Sequence, residues 1–274
     1  MLSVNTNTGA MIALQYLNQT ENDLMSTQNQ ISSGLKVASA KDNGAVFAIA
    51  QNMRGDIAGY QSVSDSLNRG VSTVDVAISA GQSISDLLNE MKGKALAAAD
   101  SSLDTASRSA LNADFTALRD QITTIVNNAQ FNGTNLVDGS ATTLTALATA
   151  DGSSKITVNA ENMSLSGSVV TISSAGSVSS QTAASTMVAT IDTSIQNVNA
   201  ALARLASGEK KFTIQNDFVS KLVDTLNTGI GNLVDANMAT ESAKLQSLQV
   251  RQQLGVQALS IANSAPSVVL SLFR

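Results

Sequence analysis

Apolar residues recur along this chain in steps of three and four from one end to the other, with an interruption past the middle. From Leu14 a seam runs through Leu17, Glu21, Leu24, Gln28, Ile31, Leu35 and Ala38, a coiled-coil spacing with two polar interruptions. The C-terminal end carries two overlapping seams. One passes through Leu245, Leu248, Gln252 and Leu259, the other through Val250, Leu254, Gln257 and Ile261. A helix apolar on more than one side needs neighbours on more than one side. Asp42-Asn43-Gly44 predicts a turn, and residues 45–50 then open a helical block through Val63, Leu67, Val71, Val74, Ile78, Ile84, Leu88 and Met91. Polar residues at 100–105 break it, with Thr105 as the expected N-cap. The clearest helix follows, stepping by four and three through Leu111, Phe115, Leu118, Ile122, Ile125 and Ala129.

The texture changes at residues 131–139, where Asn132-Gly133 is a turn dipeptide. A Ser/Thr-rich excursion over about 131–186 is expected to be exposed, with Ile156/Val158 and Val170/Ile172 alternating as short strands do. From Met187 the helical pattern returns through Ile191, Ile195, Val198, Leu202 and Leu205. After an expected turn at Ser207-Gly208 it resumes through Val219, Leu222, Leu226, Ile230 and Val234. The near-palindromic order is met most simply by a chain folded back on itself. The expected fold is mainly α: a long antiparallel helical rod with paired terminal coiled-coil helices and a small β-hairpin region in the middle of the chain.

Composition narrows what such a chain can do. Hydrophobic residues make up 43 % of it, yet there are only six Phe, two Tyr and no Trp, so the core must be built from small aliphatics. A single proline, Pro266, leaves almost all of it free to be helical. The absence of His and Cys removes the commonest general base, the thiolate nucleophile and zinc sites built from either. The reading is of a non-enzyme with no catalytic, cofactor or metal residues. With a net charge of −5 and no basic run, nucleic acid and anionic membranes are poor partners. No apolar stretch approaches the roughly 18 residues of a membrane span. The first basic residue is Lys36, so a conventional signal peptide with a charged n-region is not expected. No charged side chain occurs before Glu21 or between Gln252 and Phe273, an unusual texture for a disordered tail.

Specific strings at both ends resemble the bacterial flagellin family. Val4-Asn5-Thr6-Asn7 resembles the family's opening, and residues 31–50 its N-terminal signature. Asp235-Ala236-Asn237-Met238-Ala239-Thr240-Glu241 is similar to its Asp-Ala-Asp-Met-Ala-Thr-Glu string, and the closing residues 262–274 to its terminal segment. The resemblance covers roughly residues 1–140 and 187–274 and implies a compact flagellin without large outer domains. It implies an inner domain of residues 1–40 with 235–274, lining the filament core, and a rod domain of residues 41–234. It further implies a homopolymer, joined in some cases by sister flagellins, serving motility outside the cell. Export would run through the type III apparatus without a cleaved signal peptide, served by a dedicated chaperone, a filament cap and hook-associated proteins. The polymer contacts expected on the inner helices are Leu14, Leu17, Leu24, Ile31, Leu35, Leu245, Leu248, Leu254, Leu259, Ile261, Leu270 and Leu272. Lys41, Asp42, Asp235 and Glu241 mark the motif segments, Lys41 and Asp42 as an assembly contact or as a loop-entry pair. The family's Arg-Glu-Leu-Ala receptor stretch is replaced at residues 89–96, so weak immune-receptor recognition is expected.

Other signals are weaker. Gly55 and Gly59 match GxxxG, but Arg54 and Asp56 exclude a membrane helix and leave close helix packing in water. Gly93-Lys94 lacks the first glycine of a P-loop. A hook–filament junction protein is the rival reading, sharing the helical ends and the export route.

Overall fold

The computed structural model describes residues 6–271, with side chains to residue 264. Helix α1 spans Thr8–Ser33. Its N-terminus is capped by Asn7, whose side chain accepts from the Ala10 N–H, so one of the orphan amides of the first turn is satisfied. It ends on Gly34 at φ 74°, a left-handed residue whose N–H returns to the Gln30 carbonyl. The expected seam therefore stops short, because Leu35 and Ala38 lie beyond the helix. A turn leads to α2, Gly44–Ala98, where Asn43 Oδ1 accepts from the Val46 N–H. Helix α3, Thr105–Asn128, is capped by Asp104 rather than by Thr105, with Ser107 N at 2.7 Å from the carboxylate. A carboxylate in that position meets the positive end of the helix dipole as well as the free amide.

Strands β1 (Gln130–Phe131) and β2 (Thr134–Asn135) form a minimal antiparallel hairpin. Its two-residue turn has Asn132 and Gly133 both at positive φ, as a type I′ turn requires. Strands β3 (Thr143–Leu147) and β4 (Lys155–Asn159) pair antiparallel, with Thr143 opposite Asn159 and Leu147 opposite Lys155. Helices α4, Gln181–Val234, and α5, Met238–Ser271, complete the chain. It divides into two compact units, residues 1–55 with 225–274 and residues 56–224. The division falls inside α2 and α4.

In the 56–224 unit the buried faces of α2, α3 and α4 share one core that includes Leu67, Leu88, Phe115, Ile122, Ile191 and Phe212. The excursion is less exposed than its composition predicts. Leu136, Val137, Met163, Val170, Ile172 and Val178 are all buried in this core. Val170 and Ile172 lie in irregular backbone instead of the expected strand. Their neighbours' main-chain groups are satisfied by helix side chains in place of a sheet partner. Thr171 N donates to Ser194 Oγ, Asn197 Nδ2 donates to the Val169 carbonyl, and Val178 N donates to Asn112 Oδ1. Arg119 donates to the Gly176 carbonyl, and Arg204 clamps the Glu161 carboxylate with two bonds of 2.6 and 2.7 Å. Buried backbone must be paired with something, and here the partners come from α3 and α4.

The expected turn at Ser207-Gly208 is absent, since α4 runs straight through it. The glycine serves a close approach: a Cβ there would stand 2.5 Å from Val158 Cγ1 of β4. Gly59 likewise meets Ala150, between β3 and β4, while Gly55 faces open space, so this pair makes no helix–helix contact.

Acid is expected to loosen the helix entries and turns together. Backbone and hydroxyl hydrogen bonds from Ser39 hold Asp42 below the usual carboxylate range, and those from Ser102 do the same for Asp100. Hydrogen bonds from Ser107 lower Asp104, and those from Thr149 and Ser153 lower Asp151. A folded-state pKa below the unfolded value stabilises the fold above about pH 4, and that contribution is lost as pH falls through the folded value. The melting temperature followed by far-UV circular dichroism should hold from neutral pH to about pH 4 and fall below it. Alanine at Asp104 should remove part of that pH dependence.

Candidate assembly interface

Helices α1 and α5 lie antiparallel against each other. Asn7 Nδ2 donates to the Ala262 carbonyl at 2.7 Å at one end, and Leu17 sits against Gly255 along the way. The least exposed positions of α1 are Ala10, Ala13, Leu17, Thr20, Leu24, Thr27 and Ile31, with Gln30 beside the last. Those of α5 are Glu241, Leu245, Leu248, Gln252, Gly255, Leu259 and Ala262. Each set steps by three and four, as a two-helix seam does. The α5 set coincides with the first seam read from the sequence. The α1 set does not. Leu17, Leu24 and Ile31 face α5, but Leu14, Glu21 and Gln28 are exposed, and Ala13, Thr20 and Thr27 stand at the seam in their place. Small side chains there let the helices approach closely, and they leave the Glu21 charge in water.

The seam holds polar atoms with no hydrogen-bond partner. Thr27 is wholly buried and its Oγ1 is unpaired, as are Gln30 Oε1 and Glu241 Oε2. Lys244 Nζ stands 3.6 Å from the Glu241 oxygen, an ion pair too long to be a hydrogen bond. Thr27→Val, which keeps the shape and removes the orphan hydroxyl, should stabilise the α1–α5 pair by about 1 kcal/mol. Slower amide hydrogen exchange in α1 would report it.

Beyond α1 the chain is tied to the segment before α5 by main-chain bonds. Lys36 N and Val37 N donate to the Val234 carbonyl, Ala236 N donates to the Gly34 carbonyl, and Leu35 forms a bridge with Asp235. Asp42 accepts from Ala38 N, Ser39 N and the Ser39 hydroxyl, closing the loop ahead of α2, while Lys41 is exposed in that turn. Leu270 lies in α5, and Leu272 is outside the described residues.

The outer faces of both helices remain apolar. Leu14 is 47 % exposed, Leu254 58 % and Ile261 71 %. Met11, Ile12, Tyr16 and Met25 on α1, and Val250 and Val256 on α5, are also exposed. The residues of the second C-terminal seam are therefore exposed and unpartnered among the described residues. A contiguous apolar surface of this kind marks an interaction site. Among the described residues no cluster of acidic side chains is placed to hold a metal, and no helix is long and apolar enough to cross a membrane.

A pair of helices closed on one side and apolar on the other defines a structural subunit completed by neighbours. Comparison with known proteins makes the class specific. Residues 4–142 match the bacterial flagellin N-terminal helical region, and residues 188–273 match the bacterial flagellin C-terminal helical region. Flagellin FljK of Caulobacter vibrioides is 54 % identical over 99 % of this chain and 98 % of its own length. A flagellin of Brucella melitensis is 38 % identical over the whole of both chains. The structure of a protein described as a flagellar hook-associated protein of Vibrio parahaemolyticus superposes with a TM-score of 0.57, covering 71 % of this chain and all of that one. At 17 % identity that likeness shows the fold alone.

The chain belongs to the bacterial flagellin family. It is a structural subunit of the flagellar filament, an extracellular polymer of motility, and nothing favours the hook–filament junction over that reading. With the family comes polymerisation with copies of itself and with sister flagellins.

Proposed function

We propose that the terminal helices assemble the filament by burying, against neighbouring copies, the apolar faces that α1 and α5 leave open within one chain. The observation that carries this reading is the exposed run Val250, Leu254 and Ile261 on a helix whose other seam is already occupied. Folding of these ends is thereby coupled to association, because a helix pair with water on its outer face gains its remaining burial only in the polymer. Leu17, Leu24, Ile31, Leu245, Leu248 and Leu259 hold the pair together, while Leu14, Leu254 and Ile261 make the contacts between copies. Residues 1–40 and 235–274 act as the inner domain and the rest as the outer one. The subunit carries no catalytic site. It leaves the cell through the flagellar type III apparatus, with a chaperone covering the same apolar faces beforehand and a cap ordering them at the tip.

Negative-stain electron microscopy before and after addition of ammonium sulfate, a salt that strengthens apolar burial, tests this. Long filaments from the full chain and none from a variant lacking residues 1–40 are expected. Filaments from the truncated chain would remove α1 from the mechanism.

A further inference from the structure

Helix α4 and strand β4 bound a trough that filament assembly through the terminal helices does not use. Arg204, Ser207, Gly208 and Lys211 stand at i, i+3, i+4 and i+7 along α4, so they share one face of the helix. Val158 of β4 comes up against Gly208, and Thr157 and Asn159 flank it along the strand. Together with Glu161 these residues line a cavity of 390 Å³, a volume that suits a small organic molecule. All of it belongs to the 56–224 unit.

One cation of this trough is held in place. Glu161 is only 9 % exposed, and its two oxygens accept from Arg204 Nε and Nη2 at 2.6 and 2.7 Å. Two parallel bonds fix the plane of a guanidinium that would otherwise swing freely in water. They occupy both carboxylate oxygens, while Arg204 Nη1 donates to no described residue. Lys211 lies two turns further on, about 10 Å along the helix. It is exposed and forms no ion pair with the described residues. Two cations, Arg204 and Lys211, against one acid, Glu161, leave the lining one positive charge in excess, in a chain whose net charge is −5. The side chains of Thr157 and Asn159 are exposed and make no hydrogen bond with the described residues. The floor, by contrast, is Val158 and the bare backbone of Gly208.

This combination selects a ligand chemistry. A nucleobase would need an aromatic wall to stack on, and no aromatic residue lines the cavity. A bare anion would use the cations and leave the floor uncovered. We propose that the trough between α4 and β4 binds a carboxylated sugar. Its carboxylate accepts from Arg204 Nη1, its ring hydroxyls pair with Thr157, Asn159 and Lys211 Nζ, and its C–H face lies over Val158 and Gly208. The pinned guanidinium supplies orientation, because its geometry is set by Glu161 before any ligand arrives.

Titration of the soluble full-length chain with galacturonate, followed by backbone amide NMR shifts, tests the site. Saturable shifts centred on residues 157–161 and 203–211 are expected. Galactose, which has the ring without the acid, and acetate, which has the acid without the ring, should each bind weaker by about tenfold or more. Lys211→Glu reverses a charge that touches nothing else in the fold, so it should weaken galacturonate by about tenfold or more with melting unchanged. Glu161→Gln/Arg204→Gln, which removes the anchor without leaving a buried charge alone, should abolish the shifts. No saturable shift with galacturonate, shifts indifferent to Lys211→Glu, or acetate binding as tightly as galacturonate would each overturn the proposal. Polymerisation does not enter the readout, so none of these outcomes bears on the filament reading.

Discussion

Phe212→Ala is expected to destabilise the 56–224 unit by about 3–5 kcal/mol, the range for deleting a fully buried aromatic ring. Phe212 is wholly buried, and its ring edge fills the space beside Gly70, where a Cβ would stand 3.1 Å from it. Removing the ring leaves a gap bounded on one side by a glycine with no side chain to move into it, which places the loss at the upper end. Few other aromatics support this core, since among the described residues Phe115 is the only other Phe with a fully buried side chain. Urea unfolding followed by far-UV circular dichroism would show the transition of this unit displaced to lower denaturant. The chain has two compact units, so the transition should be assigned by hydrogen exchange before a free energy is extracted.

The second large effect leaves the monomer intact and removes the polymer. Leu254→Ser/Ile261→Ser alters two side chains already mostly in water, so monomer stability should change by less than about 0.5 kcal/mol. In the assembled state each would lose roughly 1–2 kcal/mol of burial, raising the critical concentration by about 30- to 1,000-fold. Sedimentation of seeded mixtures measures this directly. The same pair of changes at Leu245 and Leu248 should behave differently, loosening α1 from α5 in the monomer as well.

The helices were legible because their apolar periodicity is long and little disturbed. Regularity of that kind also made the rotational setting of α1 ambiguous. Leu14, Glu21 and Gln28 have the same spacing as Ala13, Thr20 and Thr27, and the larger apolar residue at 14 drew the expected seam to the wrong side. The polar Glu21 and Gln28 were the available warning, since two interruptions in one short seam are costly if buried. In the excursion, Ser and Thr disguised a buried segment. Val169, Val170, Ile172 and Val178 were visible as apolar residues, but their main-chain partners Asn112, Ser194 and Asn197 sit on distant helices, and no local pattern announces such pairing. Gly208 misled for a related reason. A glycine that marks a turn and a glycine that admits a neighbouring strand look alike until Val158 is placed beside it. The site itself was half legible: the doubled C-terminal seam foretold an open face, whereas its counterpart on α1 emerged only with the helix pair.

The division between the compact units runs through α2 near Gly55 and through α4 near Thr225, without a loop at either crossing. Adding one residue to a continuous helix turns everything beyond it by about 100° and advances it by about 1.5 Å. A single-residue insertion inside either helix would turn the residues beyond it off the faces they now bury, while gains or losses of whole turns would keep each on its face. Natural length variation in flagellins of this type should accordingly concentrate in the loop-bearing middle of the chain, and any that touches these two helices should come in multiples close to three and a half residues.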